Sequence, residues 1–332
     1  MERMKFICFG LMFALLVGSR AGAVRTRSYS VPDLVAGAAI IARGPITVDA
    51  GEPFLVVSKL LKGDGSDRIM LGWRGFGLGP PARFEEGEAV ILFLEPPDET
   101  GRAYLIGYSD QGKWPQPHRR DGWGSADIPA LERAIGALNE ALAGRDFETR
   151  AKSIVAMLRS HDEILQLAGL GLAESETLSK WLPQKQRATA RCQLAAHALG
   201  LVTSENPNIR GGAIRLLKFA PNVVAAPALI PLITDPDAHC RRHARVSLGR
   251  VVADAKIDDP DILEWLKWSA THKSEYPDPY DIQIEFAVAW QSKRELRLAK
   301  EVPRLRSSLD ATSDIERESA SIYLRYLGIS AD

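Results

Sequence analysis

The stretch DPDAHCRRHARVSLGRV, residues 235–251, decides between two unrelated architectures. His239 and His243 stand four apart around Cys240, a spacing that brings two imidazoles onto one turn of a helix, where they could share a zinc ion. A zinc site needs three or four ligands, and no second Cys/His cluster follows at usable spacing. On a helical wheel, Cys240, Ala244, Ser247, Leu248 and Val251 fall within about 100°, the width of a stripe that packs on a neighbour, with Arg242 and Arg245 on the far side. The stretch therefore reads as one helix of a packed array and not as a metal centre.

Repetition around it supports the array. NPN at Asn206, DPD at Asp235, DPD at Asp259 and DPY at Asp278 each place Asn or Asp where its side chain can accept from the first free backbone N–H groups. Each is followed by Pro, which has no N–H to leave unpaired at the first helical position. TSD at residues 312–314 keeps the cap without the proline. Three caps lead into one inner pattern: an apolar residue, Arg, two variable positions, Ala, and Leu four later. It reads IRGGAIRLL from Ile209, CRRHARVSL from Cys240 and IERESASIYL from Ile315, with Arg210, Arg241 and Arg317 three before the alanine. Helical stretches ATARCQLAAHALGLV, VAAPALIPLIT, PDILEWLKWSA and ELRLAKEVPRLRSSL precede the capped helices, which predicts antiparallel pairs every 30–45 residues.

DPDAHCRRHARVSLG resembles the second helix of a HEAT repeat, in which a turn Asp-Pro-Asp precedes a core aliphatic, an Arg and an Ala. The resemblance covers residues 186–329. It implies an αα-solenoid in which Asp237 and Arg241 hold neighbouring repeats in register, with Cys240 in the core aliphatic place. The third pair departs by carrying Glu285 and Phe286 instead of an Arg.

Ahead of residue 117 the period is different. AAIIARGPITV, PFLVVSKLLKG, DRIMLGW, EAVILFLEP and RAYLIGY are candidate strands separated by DAGEP, GDG and PPDETG, with PDLVAG as a helical turn in front. Five short strands predict a small OB-like barrel, which closes its edges with that number. The run LVAGAAIIARGPITV, FLVVSKLLKG, RFEEGEAVILFL and YLIGYSDQGKW resembles the netrin-like, tissue-inhibitor-of-metalloprotease-type modules of exported bacterial proteins. In those inhibitors an N-terminal cysteine presents its amine and carbonyl to a protease metal. Here the expected mature terminus is Val24 and the module has no cysteine, so the resemblance implies the fold alone. QPHRRDGWGSAD then marks a connector, beyond which IPALERAIGALNEALAG and ETRAKSIVAMLRS take up helical spacing. ILQLAGLGLAESETLSKWLP is ambiguous, because its glycines and proline weaken a single helix.

The first 23 residues read as a secretory signal: Arg3 and Lys5, twelve apolar residues Phe6 to Val17, then Ala21-x-Ala23. Twelve residues span roughly 18 Å as a helix, short of a bilayer core of about 30 Å. No later segment reaches the apolar length of a span, so the chain is expected to be exported, periplasmic or extracellular. Cys8 leaves with the signal; Cys192 and Cys240 are each on apolar helical stripes, and whether they pair is open.

The domain plan is thus α+β: signal 1–23, OB-like barrel 24–120, helical connector 121–185, and a HEAT-like domain 186–332. Lys plus Arg equals Asp plus Glu at 42 each, which disfavours a nucleic-acid partner. GxSxG, HExxH and GxxxxGK[ST] are absent, the Gly-rich WRGFGLGPP precedes a β segment, and no catalytic residue, metal or cofactor is expected. His197, among Ala and Leu, reads as a helix-flank residue. Candidate partner-binding residues are Arg210, Arg241, Arg242 and Arg245 on successive second helices, which in solenoids line the concave face, and Tyr276 and Tyr280 beside Pro277 and Pro279. The function expected is binding or scaffolding of another protein or peptide. The alternatives are a ligand-binding or inhibitory module centred on the barrel, or a hydrolase whose site would show a carboxylate and a histidine with shifted pKa values in one pocket.

Overall fold

The structure, a computed structural model, describes residues 30–72, 84–106, 113–114, 123, 126–175, 178, 180, 182–254 and 294–331. The expected signal at 1–23, the WRGFGLGPP stretch, most of the expected connector QPHRRDGWGSAD, the expected cap sequences at Asp259 and Asp278, and Tyr276 and Tyr280 lie outside those residues.

Helix α1, Val31–Gly37, opens the described chain. Ser30 accepts from Asp33 N, Pro32 fits the first turn, and Val31, Leu34 and Val35 are buried. PDLVAG thus forms a helix of 7 residues, longer than the single turn expected.

Seven strands follow: β1 Ile40–Asp49, β2 Glu52–Val56, β3 Lys59–Lys62, β4 Arg68–Gly72, β5 Ala89–Leu94, β6 Arg102–Tyr104 and β7 Lys113–Trp114. They form a curled, half-barrel sheet in the order β6-β4-β2-β1-β5-β7, with β3 also on β1. All pairs are antiparallel except β4 with β6. Beyond β6 the chain returns to β5: Glu95 N donates to Tyr104 O at 2.8 Å and Ile106 N to Phe93 O at 2.9 Å.

PFLVVSKLLKG, expected as one strand, divides into β2 and β3 because β1 bends between two partners. Residues 46–49 of β1 pair with β2 and residues 41–43 with β3. At the bend, a Cβ on Gly44 would lie 1.7 Å from the carbonyl oxygen of Val56, so only glycine permits the approach. Ala50 and Gly51 close the β1–β2 hairpin with φ of 51° and 85°, both in the left-handed region that a two-residue primed turn needs.

The sheet is buried on both sides, which explains the unbroken apolar run of β5. Val90, Leu92 and Leu94 point into the curl with Ile46, Leu55 and Leu71. Ile91 and Phe93, one residue out of phase, join Leu131, Ile135 and Leu138 of helix α2, Ile128–Ala143, in a second core. The sheet and the helices therefore share apolar surface. Polar contacts fasten the same junction: Arg43 and Lys59 both pair with Glu132, Asn139 donates to Leu61 O at 3.1 Å, and Lys62 donates to Val35 O at 2.6 Å.

The rest is helical: α3 Phe147–Leu158, α4 Glu163–Glu174, α5 Gln184–Ala198, α6 Pro207–Leu217, α7 Asn222–Leu229, α8 Ala238–Asp254, α9 Arg294–Ser307 and α10 Asp314–Tyr326. Asp127, Asp146 and Asp162 cap α2, α3 and α4. The ambiguous ILQLAGLGLAE forms α4, and two of its glycines have a packing reason. A Cβ on Gly169 would meet Met157 Cβ at 3.0 Å, and one on Gly171 would meet Pro32 at 3.1 Å, so their absence lets α3 and α1 approach. Helix α4 packs on α6 and α6 on α8, while α3, α5 and α7 pair with them. The last pair does not extend this row. Helix α10 lies against α3 and α5, and α9 against α7. Ala213, Ala244 and Ala320, common to the inner pattern, are all buried.

Candidate binding surface

The repeat arginines have one geometry. Arg210 Nη1 donates to the carbonyls of Ser204 and Glu205, Arg241 Nη1 to Asp235 and Pro236, and Arg317 Nη1 to Ala311 and Thr312, in each case six and five residues back. Each arginine thus closes the turn that starts its own helix. Aligned on these arginines, the caps are Asn206, Asp237 and Ser313. The cap of α8 is therefore Asp237, which accepts from His239 N at 2.9 Å and Cys240 N at 2.8 Å, not the expected Asp235 two residues earlier. Asp235, and not the expected Asp237, is the carboxylate that meets an arginine of a neighbouring helix. Arg210 reaches it with Nε at 2.7 Å and Nη2 at 3.0 Å, and the pair is nearly sealed from solvent. A planar fork meeting a carboxylate with two bonds is the geometry that fixes register.

The expected binding residues therefore separate. Arg210 and Arg241 are committed to holding turns and neighbours. Arg245 is half-buried with its Nε inside, and Arg242 is exposed. Tyr276 and Tyr280 lie outside the described residues.

A basic surface nevertheless forms beside Arg242, from residues that the sequence reading passed over. Glu174, at the end of α4, takes Arg215 of α6 at 2.8 Å and Lys218 at 3.7 Å. Arg191 of α5 and Lys218 stand 4.9 Å and 4.8 Å from the centroid of the Phe219 ring. Burial, with Arg250, Arg215 and Arg191 close by, pulls the Lys218 ammonium below its ordinary pKa in spite of Glu174. Along α8, His239, the adjacent Arg242 and His243, Val246 and Arg250 follow one another at three- or four-residue steps, and Val246 is 42% exposed. Arg215 and Lys218 fall in and just beyond the last turn of α6, where cations ordinarily complement the helix dipole, so nothing in the sequence marked them as more than termini.

His239 and His243 meet within this surface with Nε2 atoms 2.8 Å apart and rings edge-to-face at 4.2 Å, while Arg215 Nη1 approaches His243 Nε2 at 3.1 Å. Burial and the neighbouring cations Arg215, Arg242 and Lys218 lower the His243 pKa to about 3, so its ring is the neutral acceptor of the Arg215 N–H. Among the described residues no group of three or more His, Cys, Asp or Glu converges as metal ligands. Cys192 and Cys240 are not bridged. Cys240 is buried against α6, its thiol donating to Pro207 O at 3.2 Å and raised to about 11 by burial. Cys192 lies on α5 under Tyr323 of α10, whose hydroxyl donates to the Cys192 carbonyl.

A cavity of about 390 Å³ opens between α5, the residues after α6, α9 and α10, lined among others by Cys192, Phe219, Glu301, Arg304 and Glu316. His197 is buried one turn further along α5. Its Nδ1 is 3.2 Å from Arg159 Nη2 and its Nε2 3.5 Å from Ser319 Oγ. Ser319 donates to the carbonyls of Ile315 at 2.6 Å and Gln193 at 2.9 Å, and the group orienting the imidazole is a cation where a hydrolytic triad places a carboxylate. Burial first and Arg159 second depress the His197 pKa to about 4.

No family model matches the chain, and no curated protein sequence matches it. Among solved structures, an engineered protein aligns over 61% of this chain and 92% of its own length, at 16% identity and a TM-score of 0.31. A likeness of that size carries no argument about fold or function. No helix of the described residues is long and apolar enough to cross a membrane.

Proposed function

We propose that the protein is an exported, non-enzymatic scaffold in which an OB-like barrel is joined to a HEAT-like solenoid, and that the second-helix layer, α4–α6–α8, binds another protein. The OB-like reading is supported by the strand circuit: β1 through β2 and β4, parallel across to β6, and by the 104–106 backbone to β5 and so to β1. The HEAT-like reading is supported by the turn geometry that Arg210, Arg241 and Arg317 share. Export is supported by the signal-like first 23 residues.

The observation that carries the binding reading is the exposed stripe of α8, where Val246 stands uncovered between Arg242 and Arg250. A photo-crosslinking amino acid at Val246, with a control at Tyr326 of α10, tests it in the native envelope. One protein partner captured at Val246 and not at Tyr326 is expected. Equal capture at both positions, or none at Val246, refutes the assignment.

A further inference from the structure

We infer that the surface where α4, α5, α6 and α8 meet receives an acidic peptide segment of the partner, one rich in Asp and Glu. The inference rests on the protein-binding reading above and specifies its chemistry. Four cationic side chains, Arg215, Lys218, Arg242 and Arg250, act on one another or on shared neighbours here, and the carboxylate that meets them among the described residues is Glu174, which pairs with Arg215 and Lys218. The whole chain has a formal net charge of zero, so the surplus is a local construction. Surplus charge of one sign on a half-buried surface is a standing electrostatic cost, which a ligand of opposite charge removes.

The layout also selects among anions. Helices in contact stand about 8–10 Å apart, so the line from Glu174 across α6 to α8 is roughly 20 Å long, the length of about six extended residues. Guanidinium forks at Arg215, Arg242 and Arg250 suit planar carboxylates, and exposed Val246 offers an apolar contact between Arg242 and Arg250 along α8. Single-stranded nucleic acid is held on aromatic faces as well as by charge. Phe219 within this surface is already engaged by Arg191 and Lys218, and the rings of His239 and His243 are packed edge-to-face on each other.

Fluorescence anisotropy with a labelled decamer of alternating Asp and Glu and the full chain tests the inference. Saturable binding is expected, weakening roughly tenfold between 50 and 200 mM salt as exposed charges are screened. The corresponding Asn/Gln decamer should not bind. Arg242→Glu with Arg250→Glu, both at exposed positions, should weaken binding about tenfold or more at unchanged circular dichroism, and Lys218→Gln should weaken it less. Absence of saturable binding, equal affinity of the Arg242/Arg250 variant, or equally tight binding of a thymidine decanucleotide would each overturn the inference. If the acidic decamer fails while Val246 still crosslinks a protein, the chemistry named here is wrong and the scaffold reading stands.

Discussion

Replacing Arg210 by alanine is the sharpest probe of the helical stack. The guanidinium makes two bonds to Asp235, at 2.7 and 3.0 Å, and two more to the carbonyls of Ser204 and Glu205. Side-chain exposure is 12% for Arg210 and 4% for Asp235, so water cannot take over the abandoned carboxylate. The bond from Asp237 N, at 2.8 Å, remains to it. Breaking a buried pair from one side costs about 3–5 kcal/mol, which for a chain of this size lowers Tm on the order of 10 °C. Arg215→Ala is the control: that side chain is 35% exposed, and its pair with Glu174 is worth about 1 kcal/mol or less. Urea titrations of both variants, followed by circular dichroism, give the comparison. Combining Arg210→Met with Asp235→Leu should recover part of the loss, because an apolar pair leaves no buried charge. The pH profile gives a second reading. Its bond to Arg210 holds the Asp235 carboxyl below the ordinary carboxylate range, so the stabilisation is complete above about pH 4 and is lost as the pH falls below it. Arg210→Ala should flatten that acid limb. If Arg210→Ala proves no more costly than Arg215→Ala, the pair does not hold α6 and the start of α8 together.

Further outcomes are expected elsewhere in the molecule. Gly44→Ala should abolish the native sheet, since its Cβ would collide with Val56 O, whereas Gly51→Ala, at φ 85° with open space around it, should cost only about 1 kcal/mol; near-ultraviolet circular dichroism and Tm separate the two. Asp127→Ala removes the acceptor that takes Ala130 N at 2.6 Å and should cost about 1 kcal/mol in thermal unfolding. His197 has a folded pKa of about 4 against an ordinary value near 6.5, so the unfolded chain binds its proton first. Stability should be complete above pH 6.5 and fall by up to about 2 kcal/mol at pH 5, and His197→Gln should remove that slope in urea titrations.

Periodicity exposed the change from strands to helices, the caps at Asn206 and within TSD, and the inner Ala–Leu pattern, because each is a local rule repeated at fixed spacing. The bend of β1 was not legible, since Gly44 reads as a turn former until Val56 O is seen against it. Asp235 and Asp237 illustrate the same limit. Both suit a cap, and the arginine that selects Asp235 as its partner comes from the preceding repeat, 25 residues away. Of the arginines expected to bind, Arg242 is exposed to solvent, while Arg210 and Arg241 are consumed by turns that sequence spacing alone cannot weigh against solvent. Arg191, Arg215, Lys218 and Phe219 were missed because their meeting depends on how α5, α6 and α8 pack, and at each helix end a cation has an ordinary explanation.

The turning-back of α9 and α10 determines which helices stay uncovered, and so which the proposed partner could reach. Ser313 donates to Glu148, Lys152 pairs with Asp314 at 2.7 Å, Arg159 pairs with Glu318, and Tyr323 is buried with its hydroxyl on the Cys192 carbonyl. These contacts cover α3 and α5, the first-helix side, and leave the stripe of α8 open. The two layers should therefore respond independently to substitution. Tyr323→Phe removes the hydroxyl's bond to the Cys192 carbonyl, which stays within the backbone ladder of α5, and should lower stability by about 1 kcal/mol while the acidic decamer binds with unchanged affinity. Arg242→Glu, at an exposed position, should do the reverse, weakening the decamer with stability within about 0.5 kcal/mol of the parent. If Tyr323→Phe loosened the decamer as much as Arg242→Glu, the covered and open faces would be one coupled unit, and the assignment of packing to the first layer and recognition to the second would fail.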